Sequence, residues 1–303
     1  RGWRGRWWRN PQDQRAANMD RDSMMERVQG FRVMVEDKIS MFGEKGREFC
    51  QDINLRKILV SRNFDMDKAA CQLVKTLEWR IKDEPEKIVC PACQRDPFSH
   101  CMKQVGLDVC ERPVIYSCFA PATNRFDLEA TRCHIIQVLE NTFREHSKGN
   151  EHHEKDQWLW IMDFHGFALR DCDPCMATMA IDLMQHYPER LFKIIVLDAP
   201  FIFGTLYSAL RMSLDERTAN KVDFVPLWQM RSRLAPLLPP DMLDWLHAET
   251  SVNRGQRGSC CQAGHDPRGV ASWVSSPGYW SVAPLPPPEI SSSADRNNDH
   301  NNA

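Results

Sequence analysis

The sequence has little net charge of either sign, because 39 Lys and Arg residues face 41 Asp and Glu residues, for a formal net charge of −2. Bulk nucleic-acid binding normally requires a basic excess, so we expect no nucleic-acid partner. Long hydrophobic runs are also missing. The most apolar stretch, 194–210, is interrupted by Asp198, Pro200 and Gly204 and is shorter than the ~20 residues that a spanning helix needs. These absences predict a chain without a transmembrane segment.

Several chemical signatures are absent as well. There is no glycine-rich phosphate loop and no G-x-S-x-G nucleophile motif. No apolar segment follows the charged residues 1–9, so we expect no signal peptide. The 12 cysteines in 303 residues are too sparse for a small disulfide scaffold. Several, such as Cys118, lie within apolar patterns as small buried hydrophobes. We therefore expect a cytoplasmic protein.

The overall composition, 42% apolar and 26% charged, is that of a folded globular protein, and shifts along the chain divide it into segments. The beginning mixes Arg, Gly and Trp without periodicity, and the end is rich in Gly, Ser, Pro and Asn, which cannot bury a core. The predicted segments are a disordered basic arm at 1–18, an N-terminal helical region at 19–85, an α/β domain at 86–248 and a disordered low-complexity tail at 249–303.

Hydrophobic periodicity indicates helices in the first region and strands alternating with helices in the second. Apolar residues recur at helical spacing from Met24 to Val35, and Asp65 is positioned as the N-cap of a helix ending near Trp79. Residues 82–111 read as a loop. The elements predicted after it are strands at 114–120, 158–164 and 193–199, a helix through 128–143 and another that Asp173 and Pro174 begin. This order is typical of βαβ units and a largely parallel sheet.

Five sequence stretches occur in an order that resembles a known family. They are R-P-V-I-Y at 112–116, I-M-D-F-H-G-F at 161–167, H-Y-P-E-R-L at 186–191, I-I-V-L-D-A-P at 194–200 and L-D-E-R-T followed by Lys221 at 214–221. Together they resemble the CRAL-TRIO lipid-binding family, in particular its Sec-fourteen-like phosphatidylinositol transfer proteins. The similarity extends over roughly residues 50–230.

The resemblance implies an α/β fold: a mixed, largely parallel sheet flanked by helices around an apolar lipid cavity, preceded by a small helical region. A mobile helix closes the cavity in that family, and the apolar segment 201–214 corresponds to it. Helical periodicity alone fits a core helix equally well. The residues expected in the cavity and gate are Trp158, Trp160, Phe201, Phe203, Leu206, Tyr207, Leu210 and Leu214.

The resemblance also implies a function without catalysis. We expect a monomer that binds one phospholipid, preferentially phosphatidylinositol, and exchanges it during transient contact with membranes, with no cofactor besides the lipid. Glu189, Thr218 and Lys221 correspond to the family's head-group residues, and Arg62 could assist them. A Lys ammonium can neutralise the phosphodiester, while a carboxylate can accept inositol hydroxyls. An ordinary salt bridge between Glu189 and Lys221 is the structural alternative.

Departures from the family pattern bear on the choice of lipid. Members that exchange phosphatidylcholine carry small hydroxyl residues where this chain has Trp158 and Trp160. Indole rings would fill that space and remove the hydroxyl donors, so a choline-lipid site is not expected. A carrier of another hydrophobic ligand, similar to tocopherol or retinoid carriers, and a non-exchanging membrane-recruitment module remain open alternatives.

Two cysteine pairs suggest other chemistry. Cys90 and Cys93 have zinc-like spacing, and His100, Cys101 or Cys110 could complete a site. The adjacent pair 100–101 has poor geometry for one ion, so we expect a cysteine-rich loop and no metal. Cys172 and Cys175 flank a predicted helix start, where a thiol pKa is lowered. A thiol–disulfide oxidoreductase is therefore the alternative from another functional class.

Overall fold

The computed structural model describes residues 21–96, 98–146, 157–211 and 219–255. The predicted arm at 1–18 and residues 256–303 of the predicted tail lie outside this range. The first four helices are α1 (Arg21–Met41), α2 (Gly43–Phe49), α3 (Asp52–Ser61) and α4 (Met66–Asp83). They pack around a core of their own that includes Phe31, Val35, Leu59 and Leu73. The Asp65 side chain accepts a hydrogen bond from the Lys68 amide at 3.0 Å, which confirms the predicted N-cap.

A five-stranded sheet forms the centre of the second region, with strand order β1-β2-β3-β4-β5. The strands are β1 (Met102–Leu107), β2 (Pro113–Cys118), β3 (Trp158–Asp163), β4 (Leu191–Leu197) and β5 (Val222–Val225). β1 runs antiparallel to β2, and the remaining neighbours are parallel. The predicted mixed, largely parallel sheet is confirmed.

Helices cover both faces of this sheet. They are α5 (Pro91–Arg95), α6 (Leu128–His146), α7 (Pro174–Gln185), α8 (Phe201–Leu210), α9 (Met230–Leu234) and α10 (Pro240–Asn253). Parallel neighbours in sequential order, joined by right-handed crossovers, bring α6, α7 and α8 to one face. We call this the crossover face. Ile115, Trp158 and Trp160 lie on it and pack with residues of α6 and α7.

The opposite face packs against the C-terminal helices. Tyr116, Ile161 and Ile195 belong to this core together with Trp245 and Leu246 of α10. Strand residues alternate between the two faces, so β3 is buried on both sides and its sequence reads as a continuous apolar run. None of the described helices is both long enough and apolar enough to cross a bilayer.

Some predicted boundaries differ from the structure. Residues 82–111, predicted as a loop, contain α5 and the edge strand β1. The hydrophobic pattern did not predict this strand, because Lys103 and Gln104 are polar although both are buried. The predicted domain boundary between 248 and 249 falls inside α10, which continues to Asn253. Glu249 and Thr250 are buried there, so the α/β domain extends beyond the predicted boundary.

Candidate functional site

Glu189 and Lys221 lie side by side at the start of two neighbouring strands. Glu189 precedes β4 and Lys221 precedes β5, and parallel pairing brings these positions together. The Lys221 Nζ is 3.9 Å from the Glu189 Oε2, and both side chains are largely buried. The Lys221 carbonyl accepts a hydrogen bond from the Ile194 amide at 2.8 Å. The expected juxtaposition of these two residues is therefore present.

Glu189 adopts a left-handed backbone conformation with φ of 55°. This conformation is uncommon for a residue with a side chain and needs support from its surroundings. Gln157 supplies part of that support, because its side-chain amide donates to the Glu189 carbonyl at 3.1 Å. The Trp158 amide donates to the carbonyl of the next residue, Arg190, at 2.8 Å. The turn thus holds Glu189 in one orientation beside the sheet.

Arg62 lies in a separate groove between the helical region and the end of α7. Its Nε donates to the Gln72 side chain, and Gln72 donates to the Gln185 carbonyl at 2.6 Å. The groove has a volume of about 410 Å³ and also contains Lys68 and Lys75. The Gln72 side chain therefore connects Arg62 to the last residue of α7, which comes a short distance before Glu189 in the sequence. Thr218 lies outside the described residues.

Helix α8, the expected gate, contains no charged residue and lies against the crossover face. Its Phe203 ring is 4.2 Å from the Phe164 ring, and its Tyr207 ring is 5.2 Å from the Phe224 ring, between centroids. Phe201, by contrast, is 94% exposed and lines no cavity in this conformation. Leu206 and Leu210 belong to the helix, but their side chains are not described, and Leu214 lies outside the described residues.

The two tryptophans of β3 have different surroundings. Trp158 has no exposed surface, and its ring lies 5.3 Å from Phe143 and 6.4 Å from Tyr187. It is a core residue in this conformation, and its expected role in lining a lipid cavity stays a prediction. Trp160 donates from its indole nitrogen to the Ser117 hydroxyl at 2.9 Å. Both indoles belong to the core on the crossover face.

Methionines edge this core beside the tryptophans. Met162 on β3 and Met179 and Met184 on α7 are partly buried and pack against it. Methionine side chains are unbranched and adapt to irregular space. Adaptable side chains therefore line the boundary between α7 and the sheet.

Large apolar side chains are exposed after four successive strands. Phe126, Leu169, Phe201 and Trp228 follow β2, β3, β4 and β5 respectively, and each is at least half exposed. The carboxyl ends of the four parallel strands lie along one edge of the sheet. These side chains therefore surround the end of the domain where α8 begins. We call them the carboxyl-edge residues.

His186 stacks on Trp79 where α7 meets the helical region. The two rings are 4.4 Å apart and within 7° of parallel. Burial lowers the pKa of His186 to about 4, since a charged imidazolium loses hydration there. His186 is therefore neutral at pH 7 and couples the helical region to the H-Y-P-E-R-L stretch.

A group of possible metal ligands lies apart from these residues, between α5, β1 and α6. It contains Cys90, Cys93, His100 and His134, whose ligand atoms all lie within 4.8 Å of one another. His134 was not among the residues that spacing suggested. Spacing suggested Cys110 and Cys101 instead. Cys110 is exposed, and Cys101 packs against the core on the other face of the sheet. A histidine in mid-helix carries no local signal that it faces a loop about 40 residues upstream.

The second cysteine pair does not have the surroundings expected of a reactive thiol. Cys172 and Cys175 are free thiols at the start of α7. The Asp173 carboxylate accepts from the Cys175 amide at 2.8 Å, which confirms its predicted role as N-cap. This negative charge occupies the helix terminus that would otherwise stabilise a thiolate.

Comparison with known proteins agrees with this architecture. Residues 99–244 match the CRAL/TRIO domain, in agreement with the resemblance that the sequence motifs indicated. The crystal structure of Sfh5 superimposes with a TM-score of 0.57 over 72% of this chain and 85% of that one, at 14% identity. This superposition confirms the predicted fold.

Two curated relatives match part of this chain in sequence. The phosphatidylinositol transfer protein CSR1 of Eremothecium gossypii is 23% identical over 185 residues, which is 56% of this chain and 41% of the relative. The CRAL-TRIO domain-containing protein T23G5.2 of Caenorhabditis elegans is 21% identical over 205 residues, 62% of this chain and 28% of the relative. The matched region thus spans less than half the length of each relative.

Proposed function

We propose that this protein binds a phospholipid, preferentially phosphatidylinositol, between the crossover face and α8, and transfers it between membranes. The observation that carries the proposal is the uncharged sequence of α8 and the way this helix packs on the sheet. This helix has no charged residue over Phe201–Leu210, rests on the sheet through aromatic rings and exposes Phe201 at its first position. Because the helix contains no charged residue and its described contacts with the sheet are contacts between aromatic rings, we expect it to move away from the sheet to admit a lipid.

The apolar surfaces supply the affinity in this proposal. Each CH₂ group removed from water contributes about 0.8 kcal/mol, so acyl chains against the sheet, α7 and α8 would be held strongly. The partly buried methionines support the same view, because they can repack around chains of different length. The relative CSR1, named a phosphatidylinositol transfer protein, adds support from similarity.

Glu189 and Lys221 supply the head-group specificity. Their separation of 3.9 Å is long for a hydrogen-bonded ion pair. A phosphodiester oxygen on the Lys221 ammonium and an inositol hydroxyl on the Glu189 carboxylate would replace this contact with shorter bonds. Thr218 is proposed to donate to the phosphate, and Arg62 to approach from the neighbouring groove.

The carboxyl-edge residues supply the membrane contact. Tryptophan and phenylalanine partition into the interface of a bilayer. Insertion of Phe201 would pull on the first turn of α8, which links membrane contact to opening. This coupling would restrict lipid exchange to the membrane surface.

The deciding experiment combines native mass spectrometry with lipid extraction, on the full chain purified from a eukaryotic host. A one-to-one adduct with the mass of phosphatidylinositol supports the proposal. Another hydrophobic adduct favours a carrier of the tocopherol or retinoid kind. A folded protein without any adduct favours the non-exchanging recruitment module.

A pair of lysine variants then tests the head-group assignment. Lys221→Ala should abolish the phosphatidylinositol adduct. Lys193→Ala is the matched control, because Lys193 also lies in a largely buried ion pair, 3.5 Å from Asp223, but with a different partner from that of Lys221. Retention of the adduct by both variants would contradict the assignment and leave the Glu189–Lys221 pair as a structural salt bridge.

A further inference from the structure

Four side chains from three separate segments converge beside the edge of the sheet. Cys90 and Cys93 flank the start of α5, His100 precedes β1 and His134 lies within α6. Cys90, His100 and His134 are buried and Cys93 is partly buried. Nothing in the proposed lipid function uses them. Four groups of this type in one place require a physical explanation.

The distances between the ligand atoms match a tetrahedral zinc site. Cys93 Sγ is 3.3 Å from His100 Nδ1 and 3.3 Å from His134 Nδ1. Cys90 Sγ is 3.6 Å from His100 Nδ1. Zinc bonds of about 2.3 Å to sulfur and about 2.0–2.1 Å to nitrogen place neighbouring ligand atoms roughly 3.3–3.8 Å apart. One ion at the centre would therefore reach all four atoms without large movements.

The outer nitrogens of both imidazoles already have partners. His134 Nε2 lies 2.9 Å from the Met102 carbonyl oxygen, which can only accept, so the proton is on Nε2. The Nδ1 lone pair of the neutral ring then faces the sulfurs, as metal binding requires. His100 Nε2 lies 3.3 Å from the Thr131 hydroxyl. Such second contacts orient histidine ligands in metal sites.

Backbone amide groups hold the Cys90 side chain and its loop in position. The Cys93 amide donates to Cys90 Sγ at 3.4 Å, and Pro91 occupies the first turn of α5. The Cys90 amide is held by the Gln137 side chain at 2.8 Å, which ties this loop to α6. Both the loop and the helix are thus anchored before any ion binds.

The apolar core around this segment is small. Its buried apolar residues are Cys90, Ala92 and Ala130, with Cys93 and Cys133 packed against them. This is far fewer than in the three larger cores of the described residues. A metal would add a stronger cross-link between the segment before β1 and α6 to the hydrogen bond that Gln137 already makes.

We propose that Cys90, Cys93, His100 and His134 bind one zinc ion in a structural Cys₂His₂ site. Two thiolates and two imidazoles are the ligand set that zinc prefers, and four protein ligands leave no open position for catalysis. The ion would fix α5 and β1 against α6, at the outer edge of the crossover face. The proposal is independent of the lipid that the protein carries.

Metal analysis of the full chain, purified under reducing conditions without chelators, tests the site. The wild type should contain about one zinc ion per chain, and exchange with cobalt should give the visible absorption of a tetrahedral sulfur–nitrogen site. Cys93→Ser and His134→Leu should lose most of the metal. Cys133→Ser and Cys110→Ser are matched controls and should keep it, since both thiols lie outside the group of four.

A ligand exchange keeps the test valid if the loss variants fail to fold. His134→Cys should retain the ion and shift the cobalt spectrum toward stronger sulfur-to-metal absorption. A reduced, folded wild type that binds neither zinc nor cobalt would overturn the proposal. Full zinc content in both Cys93→Ser and His134→Leu would overturn it as well.

Discussion

Arg254 and Asp163 form a two-pronged ion pair that joins the end of α10 to the end of β3. Two guanidinium nitrogens lie 2.8 Å from the two carboxylate oxygens. Asp163 is fully buried and also accepts from the Tyr116 hydroxyl at 3.0 Å. The aspartate of the I-M-D motif therefore anchors the C-terminal helix that covers the face opposite the crossover face.

Removing this arginine should destabilise the fold strongly. Arg254→Ala leaves a buried carboxylate without its main counter-charge, which costs about 3–5 kcal/mol. Urea unfolding of the full chain measures the loss. Arg231→Ala is the control, because the Arg231–Asp244 pair is exposed and such pairs contribute at most about 1 kcal/mol. Equal, small effects in both variants would contradict the role given to Arg254.

Acid should weaken the fold through His186. Its pKa is about 4 in the folded state against an ordinary value of 6.5, so the unfolded chain binds more protons between these pH values. The contribution of His186 to the free energy of unfolding has its full value above about pH 6.5. Between pH 6.5 and pH 4 this contribution falls by up to about 1.4 kcal/mol per pH unit. His186→Phe preserves stacking on Trp79 and should flatten this part of the profile. Identical pH profiles for variant and wild type would refute the prediction.

Trp158 should be a major contributor to stability. Trp158→Ala opens a cavity beside Phe143 and Tyr187, and such truncations cost about 3–5 kcal/mol. Trp228→Ala removes the same side chain at a position that is 82% exposed and should change the free energy of unfolding by less than about 0.5 kcal/mol. Thermal unfolding of the two variants makes the comparison. A small effect of Trp158→Ala would mean that lipid or another side chain fills the space.

Membrane contact should depend on the carboxyl-edge residues. The double variant Phe201→Ala, Trp228→Ala should lower vesicle binding and the lipid transfer rate, because it removes two exposed rings without disturbing the core. Val33→Ala with Met41→Ala is the control, since both side chains are exposed apolar groups on α1. Co-sedimentation with vesicles of anionic and neutral composition provides the readout. Equal binding by both double variants would place the membrane contact elsewhere.

Much of the fold was accessible from local patterns. The caps Asp65 and Asp173 and strands β2, β3 and β4 were predicted near their observed positions, because alternating or continuous apolar runs report burial directly. Strand β1 was missed because its buried Lys103 is polar; the tertiary structure pairs it with Glu249 at 4.0 Å.

Local sequence patterns predicted the alternation of strands and helices from β2 to β4, and the family motifs implied that Glu189 and Lys221 lie close together. Contacts between groups far apart in the chain became visible in the folded protein: His134 meets Cys93 across 41 residues, and Arg254 meets Asp163 across 91. The reason is physical. Backbone preference and amphipathic periodicity act over a few residues, whereas ion pairs and metal ligands depend on how whole elements pack.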